Sequence, residues 1–540
     1  MVEDPIVPDL VIFSGAYIGD EMAAEFGQIP PSFLPLGGKR LFEHQFKLAR
    51  GKTFLSLPDD FGIPPVDQNR LDSLSIQVLR TPTGLSLRDS AKHVLSELNT
   101  TKNVEVLFGD TLVFNPCPES ADLVSFQNDP AHHFWSYFSP DNPNAPFVAG
   151  FGDGITERRI LCGHFRFSDK NLLVECLDSS TDFVQALNCY EMKLPFKKCM
   201  VETWFDFGHL SLYHQSKRNY SVARAFNSIE SDGKSVRKSS KQTHKIRAEA
   251  SWYKALPAEL KLHTPKFLGD IDIGGQAGYR MEYLFQPLLS DLYVFGNLPG
   301  HVWSQILNSC FEFLKIAHSE KPADGSPETA PSFADDFFQF MFSEKTKTRF
   351  ANFQISHGID DTDELCINGN ALPPVGKIID ELIANIRPTS STDISLLHGD
   401  FFFGNAFFDF RSTNVSVIDP RAMQAGGAPS IYGDHRYDIA KLAHSIIGNY
   451  DHIINGRSIL EKQSEIDWQF APTDIATPAG LDELLFTTAQ NTFGIERKEL
   501  QSMTSLLFFS MLPLHSEAPV RQEHLFANAL RLSAEALEIK

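Results

Sequence analysis

The run 396–421, LLHGDFFFGNAFFDFRSTNVSVIDPR, narrows what this chain can fold into more than any other part of it. His398, Gly399 and Asp400 come first and Asn405 follows. An apolar stretch through Val415, Val417 and Ile418 then leads to Asp419. Such a stretch makes a short buried strand that delivers its last side chain to a fixed place. Phosphoryl transfer to an alcohol needs one carboxylate to accept the hydroxyl proton and oxygen ligands that hold Mg²⁺ against the ATP phosphates. Asp400 suits the first role, and Asn405 with Asp419 the second. HGD alone is a common tripeptide and Asp often caps turns. HGDxxxxN ahead of a hydrophobic strand and a further Asp is a much rarer coincidence.

These residues resemble the aminoglycoside phosphotransferase and choline kinase family, which shares the protein kinase fold. The segment Tyr432-Gly433-Asp434-His435-Arg436-Tyr437-Asp438-Ile439-Ala440-Lys441-Leu442 is similar to that family's GDPxxDLAxL, where Asp438 would begin a helix and brace the catalytic loop. Upstream, Ser235-Val236-Arg237-Lys238-Ser239 resembles the strand carrying the ATP-binding lysine, with Val236 and Lys238 on one face by the period of two. The resemblance makes Glu249 the partner of Lys238, and Glu282, Tyr283 and Leu284 the hinge that contacts adenine. Arg237 and Lys241 lie close by in sequence, so a solvated charge in a basic stretch is the alternative, and Lys238 is favoured as the ATP-binding lysine. The 45 phenylalanines include Phe401, Phe402, Phe403, Phe407 and Phe408, which either line a pocket or form core beneath the catalytic loop.

A chain of 540 residues has room for more than one such unit. The expected kinase-like α+β domain, bilobal, takes residues 218–540, with an N-lobe over about 218–290 and a C-lobe over about 291–540. The net charge of −20 argues against nucleic-acid binding and against an anionic membrane surface. Seven scattered cysteines without a CxxC pair suggest neither a zinc site nor a disulfide framework, and reduced thiols in the cytoplasm are the simpler reading. No apolar run approaches the length of a membrane span, and the acidic start MVEDP is unlike a signal peptide. Membrane insertion is therefore not expected, and a homo-oligomer stays open.

Residues 1–217 alternate strand-like runs (10–13, 76–79, 104–108) with helical ones (41–49, 86–98), the pattern of a mixed, mostly parallel sheet. The third run ends in Gly109-Asp110-Thr111, at the strand edge where open α/β sheets bind ligands. This region resembles the sugar-nucleotide pyrophosphorylases, nucleotidylyltransferases with a glycosyltransferase-A-like fold. The resemblance gives Asp110 as one Mg²⁺ ligand and Asp206, within Trp204-Phe205-Asp206-Phe207-Gly208, as the other. Cys162-Gly163-His164-Phe165-Arg166-Phe167 is similar to its GxxxF strand, and 32–45, SFLPLGGKRLFEHQ, to its LxPVxGKPLLEHQ segment. Two carboxylates on one Mg²⁺ offset charge at an α-phosphate under attack.

The sequence departs from that family at the phosphate loop. Ser14-Gly15-Ala16-Tyr17-Ile18-Gly19-Asp20 stands where GGxGTRL is expected, and Pro30-Pro31 replaces a Pro-Lys. Each lost cationic or amide contact to a pyrophosphate leaving group would cost about 3 kcal/mol. Backbone amides near Ser14 and Gly15 remain candidates for cradling phosphate. Lys39 is the leading source of positive charge, with Arg80 and Arg88 behind it. Gly84, in the turn Pro82-Thr83-Gly84-Leu85-Ser86, either helps receive a base or ribose or belongs to an ordinary N-cap at Ser86. Taken together, the resemblances imply Mg²⁺ with ATP and a second NTP, and a small alcohol or sugar as acceptor. They imply either a kinase coupled to a nucleotidylyltransferase, or a kinase regulated by a nucleotide-sensing front domain.

Overall fold

The computed structural model describes residues 7–99, 103–116, 121–129, 135–139, 146–150, 158–224, 229–358, 364–422, 428–475 and 477–539. The chain forms two compact units, Met1–Ala223 with Phe295–Asn297, and Arg224–Val294 with Leu298–Lys540. Residues 225–228, between the two units, lie outside the described residues.

In the first unit, β1 (Asp9–Phe13), α1 (Leu41–Gln45), β2 (Thr53–Pro58), β3 (Ile76–Thr81), α2 (Leu87–Glu97) and β4 (Val104–Phe108) come in that order. They are followed by β5 (Thr111–Phe114), β6 (Leu123–Asp129), β7 (Arg158–Phe167), β8 (Lys197–Met200), β9 (Thr203–Asp206) and α3 (Leu210–Arg224). The main sheet runs β8-β6-β7-β4-β1-β2-β3. Strands β4, β1, β2 and β3 pair in parallel, and the long β7 is antiparallel to both β4 and β6. A parallel strand covered on both faces must be apolar throughout, which is why Leu10, Val11 and Ile12 are fully buried one after another. Because β1 and β4 are parallel neighbours, the loops after them leave from the same edge. Gly109 donates its amide to the Phe13 carbonyl at 2.8 Å, and a Cβ on Gly109 would lie 2.7 Å from that of Ser14. Residues 111–114 and 203–206 form a separate antiparallel ribbon with Thr111 opposite Asp206, so the ribbon holds Asp110 and Asp206 side by side.

Glu105 on β4 faces away from Val104 and Val106, and on that face it meets His164 at 2.9 Å and Arg166 at 2.8 Å on β7. The Ser125 hydroxyl bonds the other ring nitrogen of His164 at 2.7 Å, and the whole group is buried. Cys162, Cys176, Cys189, Cys310 and Cys366 are free, whereas Cys199 is disulfide-bonded. The expectation of reduced thiols therefore fails at Cys199. No CxxC spacing marks Cys199 in the sequence, so only the fold decides its state.

The second unit opens with β10 (Ile229–Ser231), β11 (Ser235–Ser239), α4 (Thr243–Ala255), β12 (Phe267–Ile273) and β13 (Gln276–Glu282). Its four-stranded antiparallel sheet has the order β10-β11-β13-β12, with α4 packed against β13, where the Tyr253 ring meets that of Tyr279 at 5.7 Å. The larger lobe is helical: α5 (Gly300–Ser319), α6 (Lys345–His357), and, after the hairpin β14 (Ala406–Asp409) and β15 (Asn414–Val417), α7 (Arg436–Ile446), α8 (Leu481–Phe493), α9 (Arg497–Met511) and α10 (Pro519–Ala536). This is the bilobal α+β architecture expected. Helix α7 has no exposed residue, because α8 and α9 pack against it; such a central helix can hold polar side chains only where each finds a partner. Among the described residues, no helix is long and apolar enough to cross a membrane.

Candidate active sites

In the second unit, β15 and the loop before β14 bring the sequence motif to one place. A cavity of about 550 Å³ is lined by Lys238, Glu249, Asp400, Asn405 and Asp419 together with cationic residues of the helical lobe. The loop is held from beneath. Asp438, fully buried on α7, accepts the amides of His398 at 2.8 Å and Gly399 at 2.7 Å. His398 accepts the Asp400 amide at Nδ1 and pairs through Nε2 with the Ile418 carbonyl at 2.9 Å. Those two roles require the neutral ring with its proton on Nε2, and burial pushes the His398 pKa down to about 4. Gly399 has φ +79, and a Cβ there would lie 2.7 Å from the Arg421 Cβ, so glycine alone fits both conformation and space.

Asp400 is 38% exposed on the cavity floor and pairs with Lys441 at 2.8 Å. Burial would raise its pKa, but Lys441, His398 and Arg421 outweigh burial and bring it below the ordinary carboxylate value. A carboxylate that stays ionised and lies open to the cavity can accept a proton from an acceptor hydroxyl. Asn405 donates its Nδ2 hydrogens to the Asp400 carbonyl and carboxylate at 3.0 and 3.1 Å. Lys238 bridges Glu249 at 2.8 Å and Asp419 at 2.9 Å, and Tyr279 donates to Glu249 at 3.1 Å. Burial alone would lower the Lys238 pKa, yet Asp419 and Glu249 raise it, so the ammonium is charged. Asp419 sits at φ +57, a conformation non-glycine residues rarely adopt, and Tyr253 accepts its amide at 3.2 Å.

Asn405 and Asp419 fit Mg²⁺ as oxygen donors. Among the described residues, no group of three or more His, Cys, Asp or Glu side chains could hold a metal unaided. Glu282 ends β13, and neither it nor Tyr283 and Leu284 after it line this cavity; Glu282 is exposed with its carboxylate on the Lys266 amide at 3.3 Å. Phe401, Phe403 and Phe408 are core, while Phe402 lines the cavity.

In the first unit, Asp110 and Asp206 flank the ribbon of β5 and β9. Gln45 of α1, fully buried, donates to the carbonyls of Phe108, Gly109 and Thr111 at 3.1, 3.0 and 2.9 Å and so fixes the Asp110 turn. Gly208 is pressed against Asp110: a Cβ there would lie 2.3 Å from Asp110 Oδ2. Burial and then the charge of Asp206 push the Asp110 carboxyl up to about 6. A carboxyl group buried beside a second carboxylate is suited to sharing a cation with it, so this pair fits Mg²⁺ as well. His209, 59% exposed, places Nδ1 3.6 Å from Asp206 Oδ1, and its pKa rises through that contact.

The phosphate side is less open. Ser14 is buried, its amide donates to Ser56 Oγ at 2.9 Å, and its hydroxyl accepts from the Ser32 amide at 3.1 Å. That amide has no second hydrogen to offer a phosphate. Gly15 is partly exposed and packs so closely on Thr81 that a Cβ would approach its Oγ1 to 2.8 Å. Arg80 donates to the carbonyls of Pro58 and Phe61 at 3.1 and 2.7 Å, and Arg88 to that of Ser180 at 2.6 Å. Gly84 is exposed at φ +79, and Ser86 next to it caps α2 by accepting the Asp89 amide at 3.1 Å. Lys39 is exposed in the turn closed by hydrogen bonds between Leu36 and Lys39.

Residues 229–452 match the phosphotransferase enzyme family. No curated protein matches the chain. Among solved structures, HddC from Yersinia pseudotuberculosis is 15% identical, with a TM-score of 0.29, over 39% of this chain and 99% of its own. The nucleoside-diphosphate-sugar pyrophosphorylase from Vibrio cholerae RC9 is 15% identical, with a TM-score of 0.32, over 39% of this chain and 99% of its own. An aminoglycoside-3'-phosphotransferase of type VIII is 12% identical, with a TM-score of 0.30, over 55% of this chain and 99% of its own.

The second unit contains cavity residues that the sequence motif alone did not single out. Lys441 stands one helical turn after Asp438 on α7, a spacing visible in the sequence, but its pairing with Asp400 is a product of the fold. Lys345, Arg349 and Arg421 also line the cavity. In the first unit, Gln45, Gly208 and His209 were missed as parts of the Asp110–Asp206 site. His209 stands three residues after Asp206, the one cue in sequence for its role.

Proposed function

We propose that the chain is a bifunctional enzyme that phosphorylates the hydroxyl of a small alcohol or sugar with ATP and joins the phosphomonoester to a nucleoside triphosphate. The product would be a nucleotide-activated donor of the kind that feeds surface polysaccharides. The observation that carries the kinase half is the single cavity holding Asp400, Asn405, Asp419 and the Lys238–Glu249 pair within a phosphotransferase-family match. In this reading Asp400 orients the acceptor hydroxyl and takes its proton as the oxygen bonds to the γ-phosphorus and the bond to the ADP oxygen breaks. Lys238, held by Glu249, contacts the ATP phosphates. Asn405 and Asp419 would hold Mg²⁺, which when bound neutralises phosphate charge.

The transferase half is supported by the neighbouring Asp110 and Asp206. They would hold the second Mg²⁺ while a phosphomonoester oxygen attacks the α-phosphorus of the NTP and pyrophosphate leaves. Lys39 would face the leaving group, with the amide of Gly15 beside it. The domains assigned to these halves are 1–217 and 218–540. A second reading has its own support. The Ser14 amide, Arg80 and Arg88 all bond within the protein, which favours a front domain that senses nucleotide and regulates the kinase.

One assay separates the two readings. The full chain is screened with ATP against small alcohols and sugars for ADP release, and each phosphorylated product is then offered with each NTP. Pyrophosphate release is expected. Kinase turnover without pyrophosphate from any NTP would hand the front domain to the sensing role, and no ADP release with any acceptor would count against the kinase itself.

A further inference from the structure

The charge of the kinase cavity is out of balance. Lys238, Lys245, Lys345, Arg349, Arg421 and Lys441 line it, whereas the carboxylates among its described lining residues are Glu249, Asp400 and Asp419. Those three carboxylates are already engaged: Glu249 and Asp419 hold Lys238, and Asp400 holds Lys441. Lys345, Arg349 and Arg421 have no carboxylate partner among the described residues. In a chain of net charge −20, three such cations in one cavity are a local reversal of sign.

Their placement separates them from the nucleotide side. Lys345 and Arg349 stand one turn apart on α6, which packs on α9, and they share the cavity wall with Tyr437, Leu507 and Ser510. Lys345 lies over the Tyr437 ring at 5.8 Å, and Arg349 is oriented by a 2.9 Å bond to the Ser510 carbonyl. The charges that act on Lys345 are Arg421, Arg349, Lys441 and Asp400; those on Lys238 are Asp419 and Glu249. Arg421 packs against Gly399, beside the proton-accepting Asp400, and Lys345 lines the same cavity wall, whereas Lys238 is tied to Glu249 and Asp419. Burial and the neighbouring cations hold the Lys345 pKa well below the ordinary lysine value, the mark of a cluster that an anion would relieve.

We propose that the phosphoryl acceptor carries a second, anionic group, a phosphate monoester or a carboxylate, received by Lys345, Arg349 and Arg421 while Asp400 faces the acceptor hydroxyl. The inference rests on the kinase reading and narrows its substrate class. It also sets aside a quaternary amine, because a cationic headgroup would be repelled by the same three residues.

The test uses the full chain saturated with Mg²⁺ and a non-hydrolysable ATP analogue. Inorganic phosphate and, separately, malonate are titrated by calorimetry; the arm that binds identifies a phosphate or a carboxylate as the group recognised. Anion binding alongside the nucleotide is expected, weakened about tenfold by Lys345→Gln, as for loss of one hydrogen bond between charged groups. Among the described residues the Lys345 side chain donates no hydrogen bond, and its backbone amide bond to Phe340 is untouched by the substitution, so this variant should keep its fold, and its nucleotide affinity should not change. Failure of both anions to bind, competition between anion and nucleotide, or binding unaffected by Lys345→Gln would each overturn the proposal and leave the kinase reading in place. Failure of the nucleotide itself to bind would remove both.

Discussion

Replacing Asp438 with Asn changes the support of the catalytic loop at a single atom. Its two carboxylate oxygens accept the His398 and Gly399 amides at 2.8 and 2.7 Å in a fully buried site. An Asn offers one acceptor oxygen and turns an NH₂ toward the other amide, leaving a buried donor unmet at about 1–3 kcal/mol. The size of that loss depends on pH. Burial raises the Asp438 pKa from 3.8 to about 7 against the two amide bonds, which lower it. The folded protein therefore binds this proton more tightly than the unfolded chain does. Wild-type stability falls as pH rises through that interval, by at most about 4 kcal/mol across it. Asn does not titrate, so the stability gap between wild type and Asp438→Asn should be widest near pH 4 and should narrow or reverse by pH 8. Denaturant unfolding at several pH values measures the gap. Trp252, whose indole bonds the Leu397 carbonyl at 2.9 Å, reports on this loop by fluorescence. A gap that stays constant from pH 4 to pH 8 would refute the reasoning, because it would mean that the two amides keep Asp438 ionised throughout.

Three further outcomes are expected. Asp400→Ala should abolish acceptor phosphorylation and leave nucleotide transfer from pre-phosphorylated substrate intact; near wild-type ADP release would show that the base lies elsewhere. Lys39→Ala should slow pyrophosphate release on the order of a hundredfold, as for one lost transition-state contact, and spare the kinase. Unchanged release would move the charge to another residue. Gly208→Ala forces a methyl into the position 2.3 Å from Asp110 Oδ2, so it should cut nucleotide transfer at least about tenfold while ADP release is unaffected; equal rates in both assays would separate Asp110 from the chemistry.

Much of the architecture was legible because it rests on local rules. The apolar run before Asp419 reads as a strand and is one. The alternation in the first 217 residues follows from strands that must be apolar when covered on both faces. Other features had no local signature. The short hairpin 459–471 carries little periodic apolar signal, and only the fold places the Asp89 amide on the Ser86 hydroxyl.

The sequence by itself determined which chemistry could be present. A carboxylate, an amide and a second carboxylate at the spacing of Asp400, Asn405 and Asp419 depend only on covalent order and on a strand that turns after a fixed number of residues. Tertiary structure decided which charges meet. It set Lys441 on Asp400, closed Ser14 onto Ser56, joined Glu105 to His164 and Arg166, and gathered Lys345, Arg349 and Arg421 around one cavity. Electrostatic coupling falls off with distance and grows with burial, and neither quantity exists for a side chain until residues far apart in the chain have packed together.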